Sequence, residues 1–448
     1  MAIVLPFRGI HYDPARVGEM VKVVSPPYDV IGEGERADYH RRSPYNVVRL
    51  ILGEDRPGDG ETENRYLRAR RYFHTWVREG ILVRDEHPAF YLYQQDYAWQ
   101  RGTQRRRTGL IGMVRLEEYA SRVIFPHERT FAGPKADRLR LMQTLPVDLE
   151  QLFAFYPDEG AVQRLLIPPA TPALFDFADE RGIRHRLWHL DESDRLRALT
   201  TALTDRPLFI ADGHHRYETA LAYRSEVRSS RPRPGRGAPA SDYVMMTLVG
   251  TSDEGLTILP THRLLPPGRL SMRELLDKLV PHFTVEDRPL DPTRDVVKLL
   301  GEVEDRGRQG HVFGLYAGGD VCYLLTLKDP TTVRGLLGPD HSEAFCRLDV
   351  VILHRLVLEH LIGIVDERSV AFTQDPGHAV ARVQAGEAAA AIFLNPTPVE
   401  NVMAVAQAGE RMPPKSTFFY PKILSGLVFA SIGPTEILEG SPLPDNDC

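Results

Sequence analysis

The sequence predicts an α+β (mixed α/β) fold, and three observations carry that reading. Segments of helical period and segments of strand period both occur, but without regular strand–helix–strand alternation. Gly and Pro, 35 of each, punctuate the chain at short intervals, so the elements are short and bounded by turns. The chain shows no internal repeat and no heptad run, which removes solenoids and coiled coils.

Taken in order, the elements follow from local pattern. Residues 64–79 place Tyr66, Leu67, Ala69, Tyr72, Phe73 and Trp76 at helical spacing, and Gly80 ends the run. AFYLYQQDY (89–97) alternates like a strand, with RTGLIGMVRLEEY (107–119) as its partner. A helix is expected over 136–142, after a turn at Gly133-Pro134. Residues 157–205, rich in Asp, Glu, Arg and Pro, read as a mixed connector. Residues 206–228 read as strand, tight turn and helix. The Pro/Gly/Arg-rich stretch 229–241 reads as a loop, and YVMMTLVG (243–250) as a buried strand. Helix, strand and helix are expected within 274–305, then a hairpin over 312–327 turning at Gly318-Gly319. An amphipathic helix over 348–363 is capped by Gly363, and AAAAIFLNP (388–396) ends in a buried strand. The elements group into three regions, 1–150, 151–270 and 271–448.

Composition narrows the function classes. At 448 residues the chain exceeds one ordinary core. With 55 Lys+Arg against 61 Asp+Glu, the net charge of −6 argues against a surface built for general nucleic-acid binding. No run reaches the roughly 18 apolar residues of a membrane span, and MAIVLPFRGI lacks a charged signal-peptide start. Cys322, Cys346 and Cys448 are scattered, which fits neither a disulfide framework nor a CxxC metal site and points to a reducing cytoplasm. Only seven of the 55 basic residues are lysines, so each marks a place where a compact ammonium is a candidate for a specific task.

The most informative stretch is PLFIADGHHRYETALAY (207–223). A short apolar strand breaks at Asp212-Gly213, and a helix begins. Gly213 lets the backbone bend sharply and approach a ligand. The unsatisfied N–H groups of a helix start, beside His214, His215 and Arg216, form an anion pocket suited to phosphate. Asp212 can orient an imidazole, hold a metal ion or take a hydroxyl proton; read as a bare N-cap, it leaves the three basic neighbours without a role. In FPHERTFAGPKADRLRLM (125–142), Lys135 and Arg138 can reach phosphate oxygens, and His127 and Glu128 are acid–base candidates. In RMPPKSTFFYPKILSGLVF (411–429), paired prolines present Lys415 and Ser416, and Lys422 follows seven residues later. ILPTHRLL (258–265) places Thr261, His262 and Arg263 just after a strand end. SPPYDVI (25–31) reads as a rigid turn whose Tyr28 and Asp29 either face a ligand or, the favoured reading, shape a loop. GxxxxGK[ST], a strand-following GxGxxG and HEXXH are all absent.

SPPYDVI, GPKADRL, IADGHHRYETAL, ILPTHR, LNPT and MPPKSTFFYPKILSGLV occur in that order over about residues 5–427. Together they make the chain similar to the bacterial and archaeal DUF1015 family. The DGHHR element resembles the phosphate-gripping turn of the ParB/sulfiredoxin superfamily, which includes ParB-type CTPases, sulfiredoxin and a free serine kinase. The resemblance implies a ParB/sulfiredoxin-like core within 151–270, elaborated by N- and C-terminal α/β regions. It further implies phosphoryl transfer to or from the hydroxyl of free L-serine, O-phosphoserine being the phosphorylated form, with pyrophosphate or a nucleotide as donor; Mg²⁺ is expected because polyphosphate donors carry it.

On that reading Gly213, His214 and Arg216 bind the transferred phosphate, helped by Lys135, Arg138, Lys415 and Lys422. Asp212, Glu128 and His215 are the catalytic candidates, and His262, Arg263 and Ser416 the candidates for substrate binding. Metal ligands are not identified. The expected partner is a small molecule, with neither nucleic acid nor membrane. A phosphoserine phosphatase and a non-enzymatic ParB-like nucleotide- or DNA-binding regulator are the alternatives. Sulfiredoxin chemistry needs a cysteine in the turn, and 213–216 holds none.

Overall fold

The computed structural model describes residues 1–99, 102–230, 237–268, 271–289, 291–366 and 369–439. The core of the loop expected over 229–241 and Cys448 lie outside the described residues. The chain divides into two units: Met1–Pro126 with Thr130–Thr257 and Pro421–Cys448, and Ile258–Tyr420 with His127–Arg129. Helices and mixed sheets occur together, the α+β class. No described helix is long and apolar enough to cross a membrane.

The first unit is built on a nine-stranded sheet. Its strands are β1 (Val4–Leu5), β2 (Phe90–Ala98), β3 (Gln104–Arg115), β4 (Ile124–Phe125), β5 (Leu152–Tyr156), β6 (Phe175–Ala178), β7 (Arg184–Leu190), β8 (Leu208–Asp212) and β9 (Tyr243–Gly250). The order is β4-β8-β5-β9-β3-β2-β7-β6, and β1 joins the far end of β3 through Val4 opposite Val114. β9 runs parallel to β5 and antiparallel to β3, so the sheet is mixed. Strands β5 and β9 are buried along their whole length, which is why they read as continuous apolar runs.

One face of this sheet carries the apolar core. Phe90, Leu92, Leu110, Leu152, Ala154, Leu208, Ile210, Met246 and Leu248 pack there with Tyr217 and Ala220. The flanking helices are α1 (Arg65–Arg78), α2 (Ala132–Thr144), α3 (Ser193–Leu203) and α4 (His214–Ser230). Asn64 caps α1 by accepting the N–H groups of Tyr66 and Leu67, and Tyr66, Ala69, Phe73 and Trp76 are buried. Helix α2 starts earlier than expected: Gly133 and Pro134 lie inside its first turn. Proline costs nothing there, because that N–H has no partner within the helix. The expected connector 157–205 instead supplies β6, β7 and α3.

The second unit contains a six-stranded antiparallel sheet. Its strands are β10 (His262–Leu265), β11 (Phe283–Pro289), β12 (Val312–Tyr316), β13 (Val321–Leu327), β14 (Ala371–Thr373) and β15 (Ala390–Phe393), in the order β11-β13-β12-β15-β10-β14. Leu299, Val303, Val312, Leu324, Val380 and Phe393 centre its core. The amphipathic segment is helical but not α-helical throughout. A short α turn, Asp349–Val351, passes into a π-helix, Ile352–Ile362, which Gly363 closes at φ +81°. Apolar spacing reports which face is buried, not whether the carbonyls pair four or five residues ahead.

Candidate functional site

In the first unit, β8 stays buried from Leu208 to Ala211 and emerges at Asp212. Gly213 follows at φ +95°, and α4 begins at His214. A Cβ on Gly213 would stand 3.1 Å from the Arg216 guanidinium. Conformation and space therefore both call for glycine. Helix α4 is pinned deep: the Tyr217 hydroxyl donates to the Glu117 carbonyl at 2.7 Å, and Arg224 Nη1 to the Leu116 carbonyl at 2.5 Å.

Arg216 lies against the bend. Its Nη1 donates to the Gln151 carbonyl at 2.6 Å, and its Nη2 stands 3.4 Å from Asp212 Oδ2. Burial opposes its charge, but Glu150, Asp212 and Asp29 outweigh that cost and raise its pKa. Lys422 approaches Asp212 from the other side, with Nζ 3.3 Å from Oδ1. Asp212 is thus held between two cations, with its side chain one-fifth exposed (20%).

His215 accepts the Phe131 N–H on Nε2 at 2.9 Å and stacks on the Phe131 ring at 5.9 Å. An imidazole accepting on Nε2 carries its proton on Nδ1. His214 is buried at the helix start. Lys135 Nζ donates to Glu218 at 2.8 Å, and the same carboxylate oxygen accepts the Thr130 hydroxyl at 2.6 Å. Arg138 is buried: its Nη1 donates to the Ile51 carbonyl at 2.6 Å, its Nε donates to Asp137 at 2.8 Å, and its guanidinium lies 4.1 Å over the Tyr28 ring. It stands 3.6 Å from Glu150.

The remaining sequence candidates fall in the second unit. Lys415 is exposed, at φ +55°. Arg263 is fully buried and fastens the Lys415 turn: its Nη2 donates to the Pro414 and Lys415 carbonyls at 3.4 and 3.2 Å, and its Nε to His354 at 3.2 Å. Ser416 Oγ donates to the Pro413 carbonyl at 2.6 Å. Glu128 Oε1 stands 3.5 Å from the Lys415 nitrogen. His262 is buried against Phe393, and burial, with Arg263 adding to it, pulls its pKa down to about 4. Arg263 thus donates to backbone carbonyls and to His354, and Ser416 to a backbone carbonyl, all within their own unit.

Sequence reasoning passed over several residues of the first site. Glu150 is buried, accepts the Tyr28 N–H and the Ser425 hydroxyl, each at 3.0 Å, and is pushed up by burial. Asp148 accepts the Met245 N–H at 2.8 Å and is pushed up to about 7 by burial, against the pull of that bond and of Arg216. Tyr28 and Asp29, read as loop-shapers, lie within the field of Arg216. No local pattern marks Asp148 or Glu150; the fold brings them, with Tyr28 and Asp29, into the field of Arg216. Among the described residues, no group of three or more His, Cys, Asp or Glu is arranged to hold a metal ion.

Similar solved structures include a conserved hypothetical protein from Pyrococcus furiosus, at 13% identity and TM-score 0.31, covering 68% of this chain and 92% of that one. A free serine kinase in complex with AMP is similar at 12% identity and TM-score 0.32, covering 68% and 89%. SbnI with a C-terminal truncation, from Staphylococcus aureus, is similar at 13% identity and TM-score 0.34, covering 70% and 85%. No curated protein matches the chain. The motifs that bend β8 into α4 lie within residues 4–351, the span matched by the model of DUF1015, a protein family of unknown function, and the chain belongs to that family.

Proposed function

We propose that the protein is a phosphotransferase acting on a small hydroxylated metabolite, transferring a phosphoryl group from pyrophosphate or a nucleotide to the hydroxyl of free L-serine to give O-phosphoserine. The observation that carries this reading is Asp212, held between Lys422 and Arg216 at the mouth of a helix. A helix start with a glycine bend favours an anion, and loose phosphoryl-transfer transition states need chiefly fixed positive charge. Asp212 is then the acceptor of the hydroxyl proton. The hydroxyl oxygen forms the new bond to phosphorus, the donor's bridging P–O bond breaks, and the leaving phosphate keeps the electron pair. Lys422 and Arg216 steady the charge that builds between them.

Gly213, His214 and His215 line the seat in this reading, and Lys135 and Arg138 border it from α2. Within the second unit, Lys415 is the candidate phosphate-binding cation, and Glu128 beside its turn is the second acid–base candidate. Magnesium's place in this reading is on the donor's phosphates, its usual mode of binding. The choice of serine rests on the resemblance of DGHHR to the superfamily turn.

Purified protein incubated with Mg²⁺, serine and pyrophosphate, ADP, ATP or CTP tests the reading, with phosphoserine as readout. Phosphoserine from one donor is the expected result. Phosphate released from phosphoserine with water as the only acceptor selects the phosphatase. Neither product, together with no phosphate or pyrophosphate binding, overturns the proposal.

A further inference from the structure

The short segment carrying Lys422 has no regular secondary structure until Ala430, yet three of its carbonyls are held by side chains. Arg107 Nη2 donates to the Pro421 carbonyl, and Gln95 Nε2 to the Lys422 carbonyl at 3.0 Å. The Leu424 backbone eases the ionisation of the Tyr93 hydroxyl, which is bonded to His185 Nδ1 at 2.7 Å. Gln151 Nε2 donates to the Leu424 carbonyl at 3.1 Å. Ser425 pairs with Ser25 through both backbone groups.

Arg107 and Gln95 also grip one another. They are cross-strand partners on β3 and β2, and Arg107 Nε donates to Gln95 Oε1 at 3.1 Å. Both are buried, at 2% and 1% exposure, and the guanidinium lies 4.7 Å over the Phe153 ring. Phe153 is itself the ladder partner of Asp212. Burying an arginine is costly, and this one has its pKa lowered to about 10. It nevertheless turns toward the Lys422 segment rather than toward a carboxylate.

We infer that Arg107 and Gln95 are positioning residues for Lys422: they hold its peptide in the one register from which the ammonium reaches Asp212. The inference deepens the proposed phosphotransferase reading and rests on it for its catalytic meaning. The fork of Arg107 spans Gln95 Oε1 and the Pro421 carbonyl together, which a lysine ammonium cannot do in that geometry. Neither residue is hydrogen-bonded to the bend at Gly213; both grip the Lys422 segment, and the Arg107 charge also acts on Asp212.

The chain's seven lysines make the test direct. Reductive ¹³C-methylation labels each amine, and the signal of Lys422 is assigned by its loss in Lys422→Met. Arg107→Lys should shift the Lys422 signal toward its place in Asp212→Asn, leaving the other native lysines unmoved; Gln95→Met, which keeps the buried cation, supplies the same test should Arg107→Lys fold poorly. An unmoved Lys422 signal in a folded variant overturns the inference, whether or not phosphate binds. Turnover supplies the second readout: each variant should lose about 10- to 100-fold in kcat with little change in KM for the donor. In the Lys422→Met background the same substitution should cost less than about 2-fold. Losses that multiply independently overturn the inference. A shifted signal in a protein that binds neither pyrophosphate nor ADP leaves the positioning role standing and removes the phosphotransferase reading.

Discussion

The two units each place a lysine beside a turn of positive φ, and they do so by opposite means. In the first, Gly213 takes the turn at φ +95°, and the cations beside it are matched by carboxylates: Arg216 and Lys422 by Asp212. In the second, a non-glycine, Lys415, takes φ +55°, and the turn is fixed by hydrogen bonds to carbonyls from Arg263, Ser416 and Thr397. One site is ordered by buried charge and the other by backbone grip. Strain at a side-chain-bearing residue survives only where the surroundings over-determine it, and the Lys415 turn meets that condition.

The largest expected effect tests the charge-built side. Arg216→Met leaves the Gln151 carbonyl, Asp212 and Glu150 facing a neutral side chain in a buried setting. Breaking such a pair from one side typically costs about 3–5 kcal/mol. Urea unfolding should therefore show a large fall in midpoint as well as the loss of phosphate-dependent stabilisation. A variant of native stability would show that the charges are solvated and that the contrast between the units is false.

The next effect is a difference in the sign of pH dependence. Asp148, in the first unit, has its folded pKa raised to about 7, far above that of an unfolded aspartate. The folded state then holds the extra proton, so this group's contribution to stability falls as pH rises from about 4 to 7. His262, in the second unit, has its folded pKa lowered to about 4. There the unfolded state holds the extra proton, so its contribution is complete above about 6.5 and is lost as pH falls towards 4. Asp148→Asn should gain a few kcal/mol over the parent at pH 8 and nothing at pH 4. His262→Phe should flatten the acid side of the profile instead. Parallel urea titrations from pH 4 to 8 check both, and equal slopes in variant and parent would remove the assignment for that residue.

A smaller effect isolates the bend itself. Gly213→Ala asks an L-residue to hold φ +95° and puts a methyl 3.1 Å from the Arg216 guanidinium. The backbone cost is about 1–3 kcal/mol, and the guanidinium must shift to make room. Phosphate-induced stabilisation should fall more than the basal melting temperature does. An equal fall in both would make the bend merely structural.

What the sequence made legible follows from range. The bend was readable because a buried strand, a glycine and a helical period sit within about 20 consecutive residues. Strand Tyr243–Gly250 was readable because full burial leaves an unbroken apolar run. Strands β6 and β7 were not, because their polar residues, such as Asp176, Arg184 and Arg186, break any simple alternation and pair only with residues far away or with each other. The grip of Gln95, Arg107 and Gln151 on residues 421–424 spans some 270 to 330 positions and leaves no local trace. Arg263 was visible as a basic residue at a strand end, but only the fold shows that it faces carbonyls and His354.

The smallest expected effect is the most discriminating. Lys415→Gly removes the strain of φ +55°, worth about 1–2 kcal/mol in an L-residue. It also frees the unfolded chain, at a cost of about 0.5–1 kcal/mol. The two nearly cancel, so the melting temperature should move by no more than a few degrees. The turn itself should persist, because Arg263 and Thr397 bind carbonyls that glycine keeps. Donor-dependent turnover should nonetheless fall sharply, because the exposed ammonium is gone. Gly213→Ala and Lys415→Gly then form a pair: one adds a side chain to a turn of positive φ, the other removes one. Only if the Lys415 turn is built to present its ammonium does removing the side chain cost function and not stability. Normal kinetics with a raised melting temperature would mean that the strain serves no purpose in the reaction.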